Sequence, residues 1–241
     1  MTMKIPIKGI IVPNDEKWIY ELFGLEVTTP DDVNKLIEKA NGEDLEVIIN
    51  SPGGDVYSGS EIYTSLADYK GNVEVKIVGV AASAASVVAM AGDPVKISPT
   101  AQIMIHNVWE VAQGDYRAFE HEAEVLKNYN KSIANAYMLK TGMSEKELLK
   151  MMDEETWLTA QKAKEYGFVD EIMFDTGNKL AASTGNFLLP QSVINKIRDS
   201  LAAGGIVPAD QKIGDTGDKK ALQIHRARLN LLKMKGMIIN G

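Results

Sequence analysis

The stretch GVAASAASVVAMAG, Gly79–Gly92, is a run of small residues with two serines and no charge, set between a β-branched segment and the turn signal Asp93-Pro94. Small side chains let a backbone or a substrate come close. The run is therefore either a tight packing seam or a helix start that presents a reactive hydroxyl. Immediately upstream, Val73, Val75 and Ile77 alternate against Glu74 and Lys76 in VEVKIVGV, the pattern of a strand. Ser83 thus stands where a strand passes into a helix, and there unpaired amides and the helix dipole favour an oxyanion. Ser86 lies one turn further in, where a hydroxyl is expected to bond back to the helix, so Ser83 is the preferred nucleophile candidate. The surroundings differ from the GxSxG elbow, because positions 81 and 85 are both alanine.

Working outward, TTPDDVNKLIEKANG (Thr28–Gly42) predicts a helix capped by Thr29, with Pro30 in its first turn, and Val33, Leu36, Ile37 and Ala40 on one face. LEVIIN follows as a short buried strand that the loop SPGGD interrupts, and Ile62, Leu66 and Tyr69 mark a second helix. After the small-residue run come two candidate strands, PVKIS and QIMIHN. This alternation predicts an α/β domain. A long helix is expected over much of Tyr116 to Lys140, closed by Gly142. Ser144 with Glu147 forms a capping box, and Thr159 caps a further short helix. The pattern ends near Phe174, which places a domain over residues 1–175 and an extension over 176–241. Within the extension, QSVINKIRDSLAAG and KKALQIHRARLNLLKMKG are candidate helices, so it is expected to be mainly helical and to offer a partner-binding segment. The second carries six basic residues and no acid from Lys219 onward.

The 241 residues suit one sizeable core plus an appendage, and 45% hydrophobic with 24% charged residues is an ordinary globular balance. A formal net charge of -7 argues against a nucleic-acid surface as the main function. The absence of cysteine removes disulfides, thiolate nucleophiles and cysteine metal sites, and three histidines make a multi-histidine metal site improbable. The first residues lack the apolar core of a signal peptide, and the most apolar stretch is too short to span a bilayer. A cytoplasmic protein with no membrane, nucleic-acid, metal or cofactor requirement is the expectation.

Three features could form a site: SPGGD, Ser83 and His106. The glycines of SPGG offer backbone amides with no side chain in the way, as an oxyanion site requires. His106 ends the apolar strand IMIH, and a serine nucleophile needs a base with pKa near working pH. His121 stands among Glu120, Glu122 and Glu124 on a helix face expected to be wet, and is set aside.

In their order NSPGGDVYSGSEIY, GVAASAASVVAMAG, IMIHN and TWLTAQKAKEYGFVDEI, these segments resemble the ClpP family of serine peptidases over roughly Leu45 to Ile172. The resemblance implies a fold of stacked strand-strand-helix units in the crotonase-like manner and a homo-oligomeric, heptamer-based ring acting on polypeptides. It implies Ser83 as nucleophile, His106 as general base, and the backbone amides of Gly54 and Ala84 as the oxyanion hole. For the third triad member the correspondence falls on Glu155 in MMDEETWLTA, with Asp153 as the alternative. NVWEVAQGD after His106, the short segment before the first strand and the C-terminal extension look like the ClpP-related head maturation proteases of phages and prophages. These imply trimming of capsid or scaffold proteins without an ATPase. Two other readings stay open: a crotonase-like acyl-CoA enzyme using the same amides, and a catalytically inactive ClpP-like assembly protein.

Overall fold

The computed structural model describes residues 2–175, which fall in the first of the two units into which the chain divides, Met1–Thr176 and Gly177–Gly241. The two helices expected in the extension lie outside the described residues. In chain order the elements are β1 (Thr2–Ile11), α1 (Lys17–Leu22), β2 (Val27–Thr28), α2 (Pro30–Ala40), β3 (Asp44–Gly54), α3 (Val56–Ala67), β4 (Val73–Ala82) and α4 (Ala84–Ala89). They continue with β5 (Val95–Ile97), β6 (Gln102–Ile105), α5 (Tyr116–Thr141), α6 (Glu145–Asp153), β7 (Thr156–Thr159), α7 (Ala160–Glu165) and β8 (Glu171–Ile172).

The strands join in one sheet in the order β2-β1-β3-β4-β5-β8, and all of these pairings are parallel. Register aligns the apolar positions into rows. Ile5 sits beside Val47, Val75 and Val95, and the next row carries Ile7, Ile49, Ile77 and Ile97. All eight side chains are fully buried. Removing such rows from water is the main stabilising term, at about 25 cal/mol per Å² of apolar surface. The opposite face carries the charges of the alternation. There Glu46 bridges Lys4 and Lys76, Glu74 bridges Lys76 and Lys96, and Lys96 reaches Glu171. One face is therefore a core wall and the other an ion-pair ladder, which holds the Lys76 and Lys96 pKa values above their usual value.

The helix starts follow the chemistry of their first residues. Thr29 and Asp32 form a reciprocal capping box before Pro30, and Ser144 and Glu147 do the same for α6. Thr159 accepts from the Lys162 amide at the start of α7, and Gly142 closes α5 with φ 72. The structure departs from the sequence expectation at SPGG, which is the end of β3 rather than an interruption. Ile11 pairs with Gly54, and the Asp55 amide donates to the Ile11 carbonyl at 2.8 Å. Two glycines at positive φ, Gly53 at 91° and Gly54 at 153°, let the strand continue through a shape that alternation does not encode.

β4 then divides its partners. Its first half, Val75 to Ile77, pairs with β5, whereas Val80 to Ala82 pair with β6, which in turn pairs antiparallel with β7. The described residues have the α/β class of fold with stacked strand and helix units. The fork brings the ends of β3, β4 and β6 together.

Candidate active site

Ser83 follows the last residue of β4 and precedes the first of α4, with φ 53 and ψ -128. A residue with a Cβ at positive φ costs on the order of 1–3 kcal/mol and persists only where its surroundings over-determine it. Both backbone ends are held. The Ser83 amide donates to the Met104 carbonyl of β6 at 2.9 Å, and the Ser83 carbonyl accepts from the Ser86 amide at 2.9 Å. The side chain makes no capping bond. Its Oγ instead lies 2.7 Å from Nε2 of His106, the residue just after β6.

His106 is half-buried, and burial is the larger influence on its pKa, which is held below the usual 6.5; the negative charge of Glu155 acts the other way. The imidazole is thus neutral at neutral pH, and with its proton on Nδ1 it accepts from the Ser83 hydroxyl. On both sides the following residues are tied down. The Val108 amide donates to Oδ1 of Asn130 in α5, and Nδ2 of Asn107 donates to Oδ1 of Asp153 at the end of α6, both at 2.8 Å.

The acidic candidates therefore separate. Asp153 is engaged with Asn107. Glu155, at φ 47 just beyond α6, exerts its charge on His106 but, among the described residues, no hydrogen bond joins the two. One Glu155 carboxylate oxygen accepts from the Trp157 indole at 3.3 Å. Since Glu155 acts on His106 through charge, Glu155→Gln is expected to lower the His106 pKa further and to shift the acid limb of activity towards lower pH. The loss of rate should stay far below the ~10⁴ that follows when a directly bonded triad aspartate is neutralised. The pH profile of fluorophosphonate labelling checks this, and an unmoved limb refutes the coupling. The same depressed pKa affects stability. As pH falls from about 6.5 towards the folded value, the unfolded chain takes up a proton that folded His106 does not, so stability declines across that window.

The glycine strand end lies against the serine turn. A Cβ on Gly53 would stand 2.5 Å from the Ala82 carbonyl oxygen, 2.7 Å from Ser83 Cβ and 2.9 Å from the Ala84 amide nitrogen. Ser51, fully buried, fixes this approach by donating to the Gly9 carbonyl at 2.6 Å and accepting from the Gly53 amide at 3.1 Å. Asn50 adds a second tie through the Val80 amide at 3.2 Å, and Gly79 leaves room for its Oδ1. Sequence reasoning missed Ser51 and Asn50. The signal was their place beside the glycines, where a short polar side chain can replace ladder bonds.

Gly54, Ser83, Ala84 and His106 line one cleft of about 560 Å³, together with apolar and aromatic groups such as Val12 and Trp109. Its size lies within the usual range of ligand clefts. Glu155 is not part of its lining. Among the described residues no acid and histidine cluster could hold a metal ion, and no helix is long and apolar enough to cross a membrane.

A serine and a histidine in hydrogen-bond contact at a strand-to-helix turn, facing a cleft, have the geometry for nucleophilic acyl chemistry. The chain belongs to the Clp protease family, which it matches over residues 32–176. It is 37% identical over 134 residues to ATP-dependent Clp protease proteolytic subunits of two Bacteroides fragilis strains, an alignment that takes in 55% of this chain. The alignments cover 65% and 61% of those relatives, so this chain spans less than two thirds of their length.

Proposed function

We propose that this protein is a serine endopeptidase in which His106 takes the Ser83 proton as Ser83 attacks a peptide carbonyl. Gly54 and Ala84 amides hold the tetrahedral oxyanion. Protonated His106 gives its proton to the leaving amine, and water activated by the same imidazole then releases the acyl group and restores Ser83. The observation that carries this reading is the 2.7 Å contact between Ser83 Oγ and His106 Nε2, made by a serine whose strained backbone is fixed at both ends. Glu155 acts as the acid that stabilises the imidazolium from a distance.

The polypeptide substrate, the heptamer-based homo-oligomeric ring and a cytoplasmic setting are part of the same proposal, supported by membership of the Clp protease family. The narrower reading is a phage or prophage head maturation protease that trims capsid or scaffold protein without an ATPase. Its support is the NVWEVAQGD run after His106 and residues 177–241, which continue past the family match. The absence of a Glu155–His106 hydrogen bond among the described residues favours a second reading, an inactive assembly protein with the same fold.

Treatment with a fluorophosphonate followed by intact mass and peptide mapping separates them. One adduct on Ser83, absent from Ser83→Ala and lost in His106→Ala, is expected for the peptidase. A folded, oligomeric protein that takes up no adduct overturns it in favour of the assembly protein or the acyl-CoA enzyme.

A further inference from the structure

Behind the nucleophile runs a hydrogen-bonded chain that the acyl-transfer steps do not use. Ser86, 0% exposed, donates its hydroxyl to the Ser83 carbonyl at 2.6 Å. That hydroxyl has one hydrogen, so the 2.7 Å contact between Ser86 Oγ and the Tyr137 hydroxyl has Tyr137 as donor. Tyr137 belongs to α5, is 1% exposed, and packs its ring against Phe168 with centroids 5.7 Å apart. Burial pushes its phenol pKa up, so the donor stays protonated. The order is therefore Tyr137 O–H to Ser86 O–H to the carbonyl of Ser83.

A phenol buried in an apolar core is costly unless its hydroxyl is bonded. Here the bond it makes ends on Ser86, whose own hydroxyl bonds the carbonyl of Ser83, a residue of unfavourable backbone shape, φ 53 with ψ -128. Backbone amides of Ser86 and Val87 also reach this carbonyl, the second at a long 3.4 Å, so the short hydroxyl bond is its closest contact. Fixing the carbonyl fixes ψ of Ser83, and with it the direction in which the Ala84 amide points. We propose that Tyr137, acting through Ser86, is a positioning residue that holds Ser83 and the adjacent amide in reactive orientation. The inference rests on the peptidase reading of the same site. It makes the seating of α5 against α4 a condition for activity.

The test uses the full-length chain, with fluorophosphonate labelling rates and peptide hydrolysis measured on wild type, Tyr137→Phe, Ser86→Ala and the double variant. Tyr137→Phe removes only the hydroxyl and keeps the ring on Phe168. It should lower kcat and the labelling rate about 10- to 100-fold with KM unchanged, the scale of a slight misplacement of reacting groups. Because the chain is linear, the double variant should lose no more activity than Ser86→Ala alone. Thermal melting gives an independent sign. Ser86→Ala leaves a buried phenol donor unpaired and lowers Tm, and adding Tyr137→Phe should restore part of that loss. Wild-type labelling by Tyr137→Phe, with only Tm reduced, overturns the inference, as do independent losses that multiply in the double variant. An unlabelled wild type overturns the peptidase reading itself, and the positioning role with it.

Discussion

Ser83→Ala and His106→Ala should each lower kcat on a peptide substrate by several orders of magnitude, on the order of 10⁶ if the pair acts as a unit as in a well-studied serine protease. The 2.7 Å contact makes each residue useless without the other. Removing both should therefore cost little more than removing either. Stability should move little by comparison. Alanine at position 83 keeps the backbone bonds to Met104 and from the Ser86 amide, which do not involve the hydroxyl. His106→Ala loses a half-buried ring but not the ties that Asn107 and Val108 make to α6 and α5. Circular dichroism and melting curves would show that both variants fold, and steady-state hydrolysis of a fluorogenic peptide would read the rate. A full-rate His106→Ala enzyme removes the imidazole from the mechanism.

How much of this could be read from the chain follows from which physical signals are local. Alternation placed β4, and capping chemistry placed the starts of α2, α6 and α7, because a cap is decided within four residues. The back-bonding expected of Ser86 is present, since it too depends only on one helical turn. The contact of Ser83 with His106 spans 23 residues and arises from β6 lying beside the end of β4, a register no local pattern states. The strand end at SPGG is hidden from local pattern for a related reason. Glycine signals freedom, and only the pairing of Gly54 with Ile11 shows that the freedom serves a strand at unusual φ. The resemblance ranks Glu155 before Asp153 at the end of α6, but it does not say how either acid sits against His106. Their roles turn on the chain reversal at Glu155, where a non-glycine residue adopts the left-handed conformation that usually favours glycine or asparagine.

That same glycine freedom yields the second large effect. Gly53→Ala should cut labelling and hydrolysis by about 10²–10³-fold, the scale of losing one oxyanion donor. The added methyl would meet the Ala82 carbonyl oxygen at 2.5 Å, Ser83 Cβ at 2.7 Å and the Ala84 nitrogen at 2.9 Å. None of these atoms can rotate aside, because all belong to the backbone or sit one bond from it. The end of β3 and the serine turn must part, which displaces Ser83 from His106 and turns the Ala84 amide. A destabilisation of about 2–4 kcal/mol should accompany this, combining backbone strain at φ 91 with overpacking. Gly42→Ala separates the two causes. Gly42 has nearly the same φ, 89°, yet a Cβ there meets nothing within 4 Å. That variant should lose about 1 kcal/mol from strain alone and label at the wild-type rate. Denaturant midpoints and labelling rates on both variants give the comparison. If Gly53→Ala reacts as fast as Gly42→Ala, the close approach of the glycine strand to the serine turn is not what orients the nucleophile. If only Gly53→Ala is slow, the shape of SPGG is part of the catalytic site.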